Sequence, residues 1–353
     1  MKLGYMTNAF GPLVGEGGGV TSIKDIRYLT LCDDEAVLKK ITNAGFRYIE
    51  VLEGNLTKYG SDIQVLKDML ARYGAGMMSV CVGANFIYPD ALEDEMFHME
   101  TVAALAEQVG VSYVAFCGGA IRGKGVQTGD YALLAKGLKE AEKVFAAHGI
   151  EASYHPHLGS MAEKPEQIDR LFSVSDIKIC PDLAHLAAGG GDPLEIVKKY
   201  YDRISFVHLK DLDENGFAPL GTGHVDVEGV LRFLKEKGYA GDYLVEADGF
   251  AGDPEEACRT SYRFLQGKLI QNSSRPRRRS TARGAGGHLR MGGFYNEKTE
   301  CGPGWCRVHG KSALNRVFRH AQVFLAGPGR AGFKNNLRHR PGNRGRRERT
   351  LRL

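Results

Sequence analysis

The stretch SYVAFCGGAIRGKGVQTGDYALLAKGLKEAEKVFAAHGIEASYHPH, residues 112–157, contains the repeating unit that decides the fold. Two short apolar runs, 112–117 and 151–154, flank an amphipathic segment over 129–149 that ends at Gly149. Short apolar runs predict buried strands, and a longer periodic segment closed by glycine predicts a helix. Because a helix between two strands returns the chain to the same end of the sheet, this order predicts parallel pairing.

The same unit recurs on both sides of this stretch, with no long antiparallel hairpin. The pattern DDEAVLKKITNAG opens with an acidic cap at Asp33 and closes on Gly45, and Gly110 and Gly238 close two later helical patterns. Eight strands are predicted, each followed by a helix: Lys2–Met6, Arg47–Val51, Gly76–Val82, Ser112–Cys117, Glu151–Tyr154, Lys178–Cys180, Ile204–Leu209 and Tyr243–Glu246. Eight such units fit either a closed (β/α)8 barrel or a doubly wound open sheet.

The loop after the first predicted strand distinguishes these two architectures. A doubly wound nucleotide-binding fold needs the pattern GxGxxG at this point. The chain has GEGGGV over 15–20, without the third glycine and without a tight entry into a helix, which favours a flexible spacer. We therefore predict an α/β fold, a (β/α)8 TIM barrel, over residues 1–271.

The charged residues divide the chain at Gln271. The whole chain has 47 Lys and Arg against 42 Asp and Glu, a net charge of +5, but residues 272–353 contain 17 Arg, 3 Lys, 3 Glu and no Asp. This segment therefore carries +17, and residues 1–271 carry −12. Low apolar content and self-repulsion predict an Arg/Gly-rich disordered tail over 272–353. Its origin is either a nucleic-acid-binding arm or a non-native extension, and the abrupt boundary favours the second.

The composition also excludes several classes of protein. A hydrophobic fraction of 43% and a charged fraction of 25% are typical of soluble globular proteins. The chain contains no apolar run of the roughly 18 residues that a transmembrane helix needs, and its first residues do not resemble a secretory leader. The seven cysteines form no CxxC pair, which indicates reduced thiols. We therefore expect a cytoplasmic protein.

Polar side chains follow the last four predicted strands, at the point where each strand ends. The motifs are YHPHLGS (154–160), CPDLAH (180–185), VHLKD (207–211) and LVEAD (244–248). In a barrel these strand ends meet at one mouth, where unpaired carboxylates would repel one another. A divalent cation removes that cost, so we predict one metal ion, Mn, Co, Mg or Zn, at this mouth. The candidate ligands are His155, Asp182, His208 and Glu246.

Three stretches carry a resemblance to a known family: YHPHLGSMAEKPEQIDRLF (154–172), CPDLAHLAAGGGDPLEIVKKYYDRISFVHLKD (180–211) and PLGTGHVDVEGVLRFLKEKGYAGDYLVEAD (219–248). They resemble the xylose-isomerase-like TIM-barrel superfamily of sugar phosphate isomerases and epimerases, and within it the inosose dehydratase-like members. Members of this superfamily hold one divalent metal with Glu, Asp, His and Glu from strands 5 to 8. The resemblance implies Asp182, His208 and Glu246 as ligands. His155 departs from it, because the usual residue there is a glutamate that doubles as a catalytic acid/base.

The resemblance implies an enzyme that removes a proton from the carbon next to a carbonyl, with the metal stabilising the resulting enediolate. The candidate base is Glu246, and the candidate proton donors are His157, His185 and Lys210. Lys210, in the motif HLKD, is also a candidate substrate ligand. The next proton transfer decides among isomerisation, epimerisation and dehydration, and the sequence leaves these three outcomes open.

Two residues outside the four motifs are candidate substrate-binding groups. Glu50 ends the second predicted strand and faces the barrel mouth by the two-residue period of a strand. Arg122 lies in the glycine-rich loop GGAIRGKG (118–125), after the fourth predicted strand. Its guanidinium group could bind a phosphate or a keto-sugar oxygen.

Three other functions stay open at the level of sequence. C-glycoside deglycosidase-type lyases act on 3-keto-glycosides, begin with the same proton removal and usually need a partner subunit. Endonuclease IV-like phosphodiesterases share the barrel but need extra histidines on early strands, whereas the first histidine here is His98, in a predicted helix. The charge of −12 on residues 1–271 also repels phosphate backbones. A non-catalytic sugar-binding barrel would not need the metal.

The expected partner is a small-molecule sugar or keto-polyol substrate. A homo-oligomer and a complex with a partner subunit both stay open. We expect no membrane contact, and we expect nucleic-acid binding only if the basic tail supplies it.

Overall fold

Eight parallel strands curl into one sheet in the computed structural model, which describes residues 1–15 and 27–269. The strands in these two ranges are β1 (Leu3–Met6), β2 (Leu13–Gly15), β3 (Tyr28–Thr30), β4 (Tyr48–Leu52), β5 (Gly76–Ala84), β6 (Tyr113–Gly118), β7 (Glu151–Tyr154), β8 (Lys178–Ile179), β9 (Val207–Leu209), β10 (Asp211–Asp213), β11 (Gly216–Ala218) and β12 (Tyr243–Val245). The α-helices in these ranges are α1 (Asp34–Ala44), α2 (Glu53–Thr57), α3 (Ile63–Arg72), α4 (Leu92–Val109), α5 (Asp130–Ala147), α6 (Pro165–Val174), α7 (Leu183–Ala188), α8 (Pro193–Lys199), α9 (Val227–Glu236) and α10 (Pro254–Leu265). Single turns of 3-10 helix cover Thr7–Phe10, Gly60–Asp62 and Tyr201–Arg203.

The sheet has the order β8-β7-β6-β5-β4-β1-β12-β9, and its neighbouring strands are parallel. Its two edges meet through parallel bridges, Ile179 with Ile204 and Asp182 with His208. The Ser205 N–H donates to the Ile179 carbonyl at 3.0 Å, which continues the ladder across the edges. The predicted (β/α)8 TIM barrel is confirmed, and each of the eight predicted strands is present.

The helices begin and end where their sequence signals predict. Asp33 caps α1, because its side chain accepts the Ala36 N–H at 3.1 Å. Gly110, Gly149 and Gly238 follow α4, α5 and α9 with φ angles of 76°, 71° and 73°. Glycine adopts this left-handed region without steric cost, so these residues end the helices and turn the chain towards the next strand.

Two short antiparallel hairpins interrupt the strand–helix alternation. β2 pairs with β3 after the first barrel strand, and β10 pairs with β11 directly after β9. Both hairpins follow the carboxyl end of a barrel strand, the end of the barrel at which the polar motifs gather. No pattern in the sequence predicted them, because each of their strands is only three residues long.

A cluster of buried side chains fills the inside of the barrel below the polar strand ends. Cys180, Phe206 and Leu244 each lie two residues before a polar residue at a strand end, so they share its inward direction. The full cluster is Met6, Leu52, Met78, Cys81, Ala115, Cys117, Cys180, Phe206 and Leu244. The cysteines that the structure describes are free thiols, as the sequence predicted.

Two predictions lie outside the described residues: the spacer after the first strand, over 16–20, and the basic tail over 272–353. Among the helices of the described ranges, none combines the length and the apolar character that crossing a membrane requires.

Candidate active site

The four candidate metal ligands lie together at the carboxyl ends of four consecutive barrel strands. His155 follows β7, Asp182 follows β8, His208 lies in β9 and Glu246 follows β12. Each offers a ligand atom, and these four atoms lie within 4.8 Å of one another. All four side chains are buried. The structure therefore brings together the residues that the sequence separates by 27, 26 and 38 positions.

Backbone hydrogen bonds fix the positions of these strand ends. The His155 N–H donates to the Phe116 carbonyl at 2.9 Å, and the Glu246 N–H donates to the Leu209 carbonyl at 3.1 Å. Asp182 is the N-cap of α7, because its Oδ1 accepts the His185 N–H at 2.8 Å. The cap uses one carboxylate oxygen and leaves Oδ2 directed at the cluster.

The hydrogen bonds of the cluster are incomplete in a way that fits a cation. His208 Nδ1 lies 2.9 Å from Glu246 Oε2 and 3.9 Å from Asp182 Oδ2. Within the described residues, neither Asp182 Oδ2 nor His155 Nδ1 has a hydrogen-bond partner. A buried polar atom without a partner is costly, and carboxylate and imidazole groups are ligands of divalent cations. The donor set of His155, Asp182, His208 and Glu246 therefore fits a divalent metal ion.

Lys210 lies beside this cluster with its side chain fully buried. Its Nζ is 3.1 Å from Glu246 Oε1, 3.0 Å from His185 Nε2 and 3.8 Å from Asp182 Oδ2, and it pairs with the Asp248 carboxylate. The Phe217 ring covers the ammonium group from the β10–β11 hairpin, with its centroid 4.0 Å from Nζ, a cation–π contact.

These neighbours set the charges of the site. Burial alone would lower the pKa of Lys210, but Asp248, Glu246 and Asp182 raise it above its usual value. Burial alone would raise the pKa of Glu246, but Lys210 and His208 outweigh burial and hold it well below its usual range. Burial raises the pKa of Asp182 to about 7, against the opposing effect of Lys210. The pair Lys210–Glu246 is therefore an ion pair at neutral pH.

The two candidate histidines lie next to each other beside Lys210. The rings of His157 and His185 have centroids 4.0 Å apart, and His157 Nδ1 donates to the Leu158 carbonyl at 2.8 Å. Burial lowers the pKa of both imidazoles, and the positive charge of Lys210 lowers it further. Both rings are therefore neutral near pH 7. His157 carries its proton on Nδ1, and His185 accepts from the Lys210 ammonium at Nε2, so its proton is also on Nδ1.

The two candidate substrate-binding residues have different surroundings. Glu50, in β4, is fully buried, and its Oε1 lies 3.3 Å from His208 Nε2, so it joins the cluster. The Arg122 guanidinium instead pairs with Asp130 at 3.0 Å and donates to the Ile87 carbonyl at 3.0 Å. These contacts join Arg122 to the wall of the barrel rather than to the cluster.

Three residues of the site had no role assigned from the sequence: Asn8, Phe217 and Asp248. The Asn8 side chain donates to Glu246 Oε1 at 3.0 Å, and Asp248 pairs with Lys210. Asp248 had a signal, because it lies two residues after Glu246 and so faces the same way. Asn8 follows β1, and Phe217 lies in β11; neither segment has an alternating apolar pattern.

Comparison with known families and proteins agrees with this fold. A family model described as xylose isomerase-like TIM barrel matches residues 38–268. The inosose dehydratase of Clostridium botulinum (strain Alaska E43 / Type E3) is 28% identical over 275 residues, which cover 68% of this chain and 89% of that protein. The inosose dehydratase of Geobacillus kaustophilus (strain HTA426) is 27% identical over 271 residues, which cover 67% of this chain and 86% of that protein.

Solved structures show the same fold at lower sequence identity. A D-allulose 3-epimerase from Methylomonas sp. aligns with a TM-score of 0.60 at 15% identity, over 76% of this chain and 98% of that one. The IOLI protein, solved with a bound zinc atom, has a TM-score of 0.59 at 18% identity, over 76% of this chain and 98% of that one. A xylose isomerase-like TIM barrel protein from Mycobacterium smegmatis in complex with magnesium has a TM-score of 0.58 at 18% identity. The alignment covers 75% of this chain and 95% of that one.

Proposed function

The chain belongs to the xylose isomerase-like TIM barrel family, and from this premise we propose that it is a divalent-metal-dependent enzyme acting on a keto-sugar or keto-polyol. The reaction begins with removal of the proton next to a carbonyl. The observation that carries the proposal is the buried set of His155, Asp182, His208 and Glu246 within 4.8 Å at the barrel mouth. The inosose dehydratase relatives support a cyclic keto-polyol as the substrate and dehydration as the outcome.

The four side chains His155, Asp182, His208 and Glu246 would hold the metal. Their two imidazoles and two carboxylates suit Mn, Co or Zn better than Mg, which prefers oxygen ligands. The chemistry that a bound divalent cation supplies is stabilisation of the negative charge that develops when the α-carbon loses its proton. Neighbours with zinc or magnesium in their structures support this class of ion.

Different residues around the cluster are the candidates for the base, the acid and the groups that hydrogen-bond the substrate. Glu246 is the candidate base, and hydrogen bonds from Asn8 and Lys210 to its Oε1 hold the carboxylate in place. Lys210 is the candidate acid, because it carries an exchangeable proton as an ammonium group. His157 and His185 are neutral, so their candidate role is to hydrogen-bond substrate hydroxyl groups, with His157 accepting at Nε2 and His185 donating from Nδ1.

Dehydration fits this set better than two-carboxylate epimerisation. Epimerisation needs a second acid/base on the opposite face of the carbon, and His155 replaces the glutamate that has this role in the resembling epimerases. Dehydration needs only a proton for the departing β-hydroxyl, which Lys210 can donate. We therefore propose an inosose dehydratase-like reaction.

The experiment that tests the proposal is proton NMR in D2O with a panel of inososes, ketohexoses and 3-keto-glucosides. We expect metal-dependent loss of the α-proton signal and elimination of water from an inosose. Elimination from a 3-keto-glucoside instead would indicate a deglycosidase-type lyase. Proton exchange that continues unchanged after chelation and dialysis would contradict the metal-dependent mechanism.

Variants of the cluster separate catalysis from folding. Asp182→Ala and Glu246→Gln should lower kcat/KM by roughly 10²–10⁴-fold, the usual contribution of positioned acid–base groups, with the circular dichroism spectrum retained. The matched control is Asp226→Ala, because Asp226 also caps a helix, accepting the Gly229 N–H at 2.8 Å, but lies outside the cluster. Asp226→Ala should lower stability without a comparable loss of kcat/KM.

A further inference from the structure

We propose that Glu50 is a positioning residue that holds the His208 ring so that Nδ1 faces the metal. The inference rests on the proposed function, because it requires His208 to be a ligand. It differs from the role expected from the sequence, in which Glu50 binds substrate. Glu50 lies in β4 and His208 in β9, on opposite arcs of the barrel, so their contact crosses the interior.

His208 lies between two groups of carboxylates, one at each ring nitrogen. Nδ1 faces the cluster, at 2.9 Å from Glu246 Oε2 and 3.9 Å from Asp182 Oδ2. Nε2, on the other side of the ring, lies 3.3 Å from Glu50 Oε1. The orientation of the ring therefore assigns one nitrogen to the ligand set and the other to Glu50.

Glu50 and Nε2 of His208 lack other partners in the described part of the chain. Both oxygens of Glu50 are without a hydrogen bond there, and so is Nε2. The Glu50 side chain is fully buried, and a buried carboxylate without a compensating group would be costly. The Cys180 thiol also lies near His208, but a thiol is a weak acceptor and does not replace a carboxylate.

The consequence of this arrangement is a fixed tautomer. An imidazole that binds a metal needs a free lone pair on one nitrogen, and the proton then sits on the other. A carboxylate 3.3 Å from Nε2 favours a proton on that nitrogen, which would leave the Nδ1 lone pair for a cation that Glu246 Oε2 would also bind. Partners of this kind typically contribute about 10–100-fold to metal affinity.

The test is the affinity for Zn²⁺ or Co²⁺ of purified Glu50→Gln, measured by competition with a chromophoric chelator. We expect affinity to fall about 10–100-fold relative to the wild type. The matched control is Glu53→Gln, because Glu53 is equally buried three residues later but accepts the Tyr28 N–H at 2.8 Å instead of facing His208. Glu53→Gln should bind the metal as tightly as the wild type.

A second variant, Glu50→Asp, keeps the carboxylate but withdraws it from Nε2. We expect an intermediate affinity and a changed visible spectrum of the Co²⁺ protein, so the inference remains testable if Glu50→Gln does not fold. If both variants bind the metal as tightly as the wild type but have a raised KM, the inference is wrong and Glu50 binds substrate instead. A wild-type protein that binds neither ion would instead contradict the proposed function itself.

Discussion

Glu53 shows how a buried carboxyl can serve the fold instead of the cluster. It begins α2, is fully buried and accepts the Tyr28 N–H at 2.8 Å, which ties the β2–β3 hairpin to the barrel. Asn55 makes the same connection two residues later, accepting the Thr30 N–H and donating to the Thr30 carbonyl. Burial raises the pKa of Glu53 to about 8, although backbone hydrogen bonds oppose the rise.

The raised pKa of Glu53 predicts how stability depends on pH. The folded pKa of about 8 lies above the ordinary value of 4.5, so the folded protein holds the proton more tightly than the unfolded chain. The contribution of Glu53 to stability is therefore complete below pH 4.5 and is lost as pH rises to about 8, by at most about 1.4 kcal/mol per pH unit. Urea unfolding of wild type and Glu53→Gln at pH 5.5 and 8 should show the variant gaining relative stability at the higher pH. An equal difference at both pH values would refute the prediction.

At the level of single residues, the sequence predicted the positions of the candidate ligands better than the contacts around them. The strand-end positions of Asp182 and Glu246 follow from period and spacing alone, because parallel strands end at one edge. The partner of Glu50 could not be predicted, because the contact with His208 crosses the barrel interior and no local pattern records it. The proton-donor assignment of His157 and His185 also changes, because their burial was not visible in the sequence.

Helix α5 illustrates a conflict between local preference and packing. Gly137 lies inside this helix, where alanine would ordinarily add roughly 0.5–1 kcal/mol of stability. A Cβ at this position would meet the Phe86 Cβ at 2.7 Å and the Phe86 carbonyl oxygen at 2.8 Å. The glycine therefore permits α5 to approach the segment after β5.

We expect Gly137→Ala to lower the free energy of unfolding by about 1–3 kcal/mol, the usual cost of overpacking. The measurement is urea denaturation followed by circular dichroism. Lys136→Ala, at an exposed position of the same helix, is the control and should have little effect. A Gly137→Ala protein at least as stable as the wild type would show that the helix can shift outward freely.

Of the elements that the sequence did not predict, the β10–β11 hairpin matters most for the site. The Asp211 carboxylate accepts the N–H groups of Leu212, Gly221, Gly223 and Val225, which holds the hairpin and the loop after it. The hairpin places Phe217 over Lys210 and against the His185 ring at 5.2 Å. The signal for it was the pair Asn215-Gly216, a common turn sequence, but three-residue strands are too short to show an alternating pattern.

On the scale of the whole molecule, the number and order of strand–helix units predicted the barrel. The meeting of the two sheet edges could not be predicted, because β8 is two residues long and joins β9 through isolated bridges. The buried core is assembled from Tyr5 in β1 to Leu265 at the end of α10. The division of charge, −12 over 1–271 and +17 over 272–353, coincides with the end of this core.

We therefore predict that deletion of residues 272–353 leaves the barrel folded and active. The thermal midpoint and kcat/KM of the truncated chain should equal those of the full chain, because the buried core of the described ranges extends only to Leu265. Retention on a heparin column should disappear, because the positive charge that binds polyanions is removed. A midpoint several degrees lower would show that the tail packs on the barrel.

The most direct test of the metal site is the metal content of the protein, measured by inductively coupled plasma mass spectrometry after extensive dialysis. The wild type and Asp226→Ala should retain about one divalent ion per chain, whereas Asp182→Ala should lose it while remaining folded, because removal of one ligand weakens a mononuclear site. Full activity in wild-type protein that contains no divalent metal would contradict the proposal that His155, Asp182, His208 and Glu246 form a catalytic metal site.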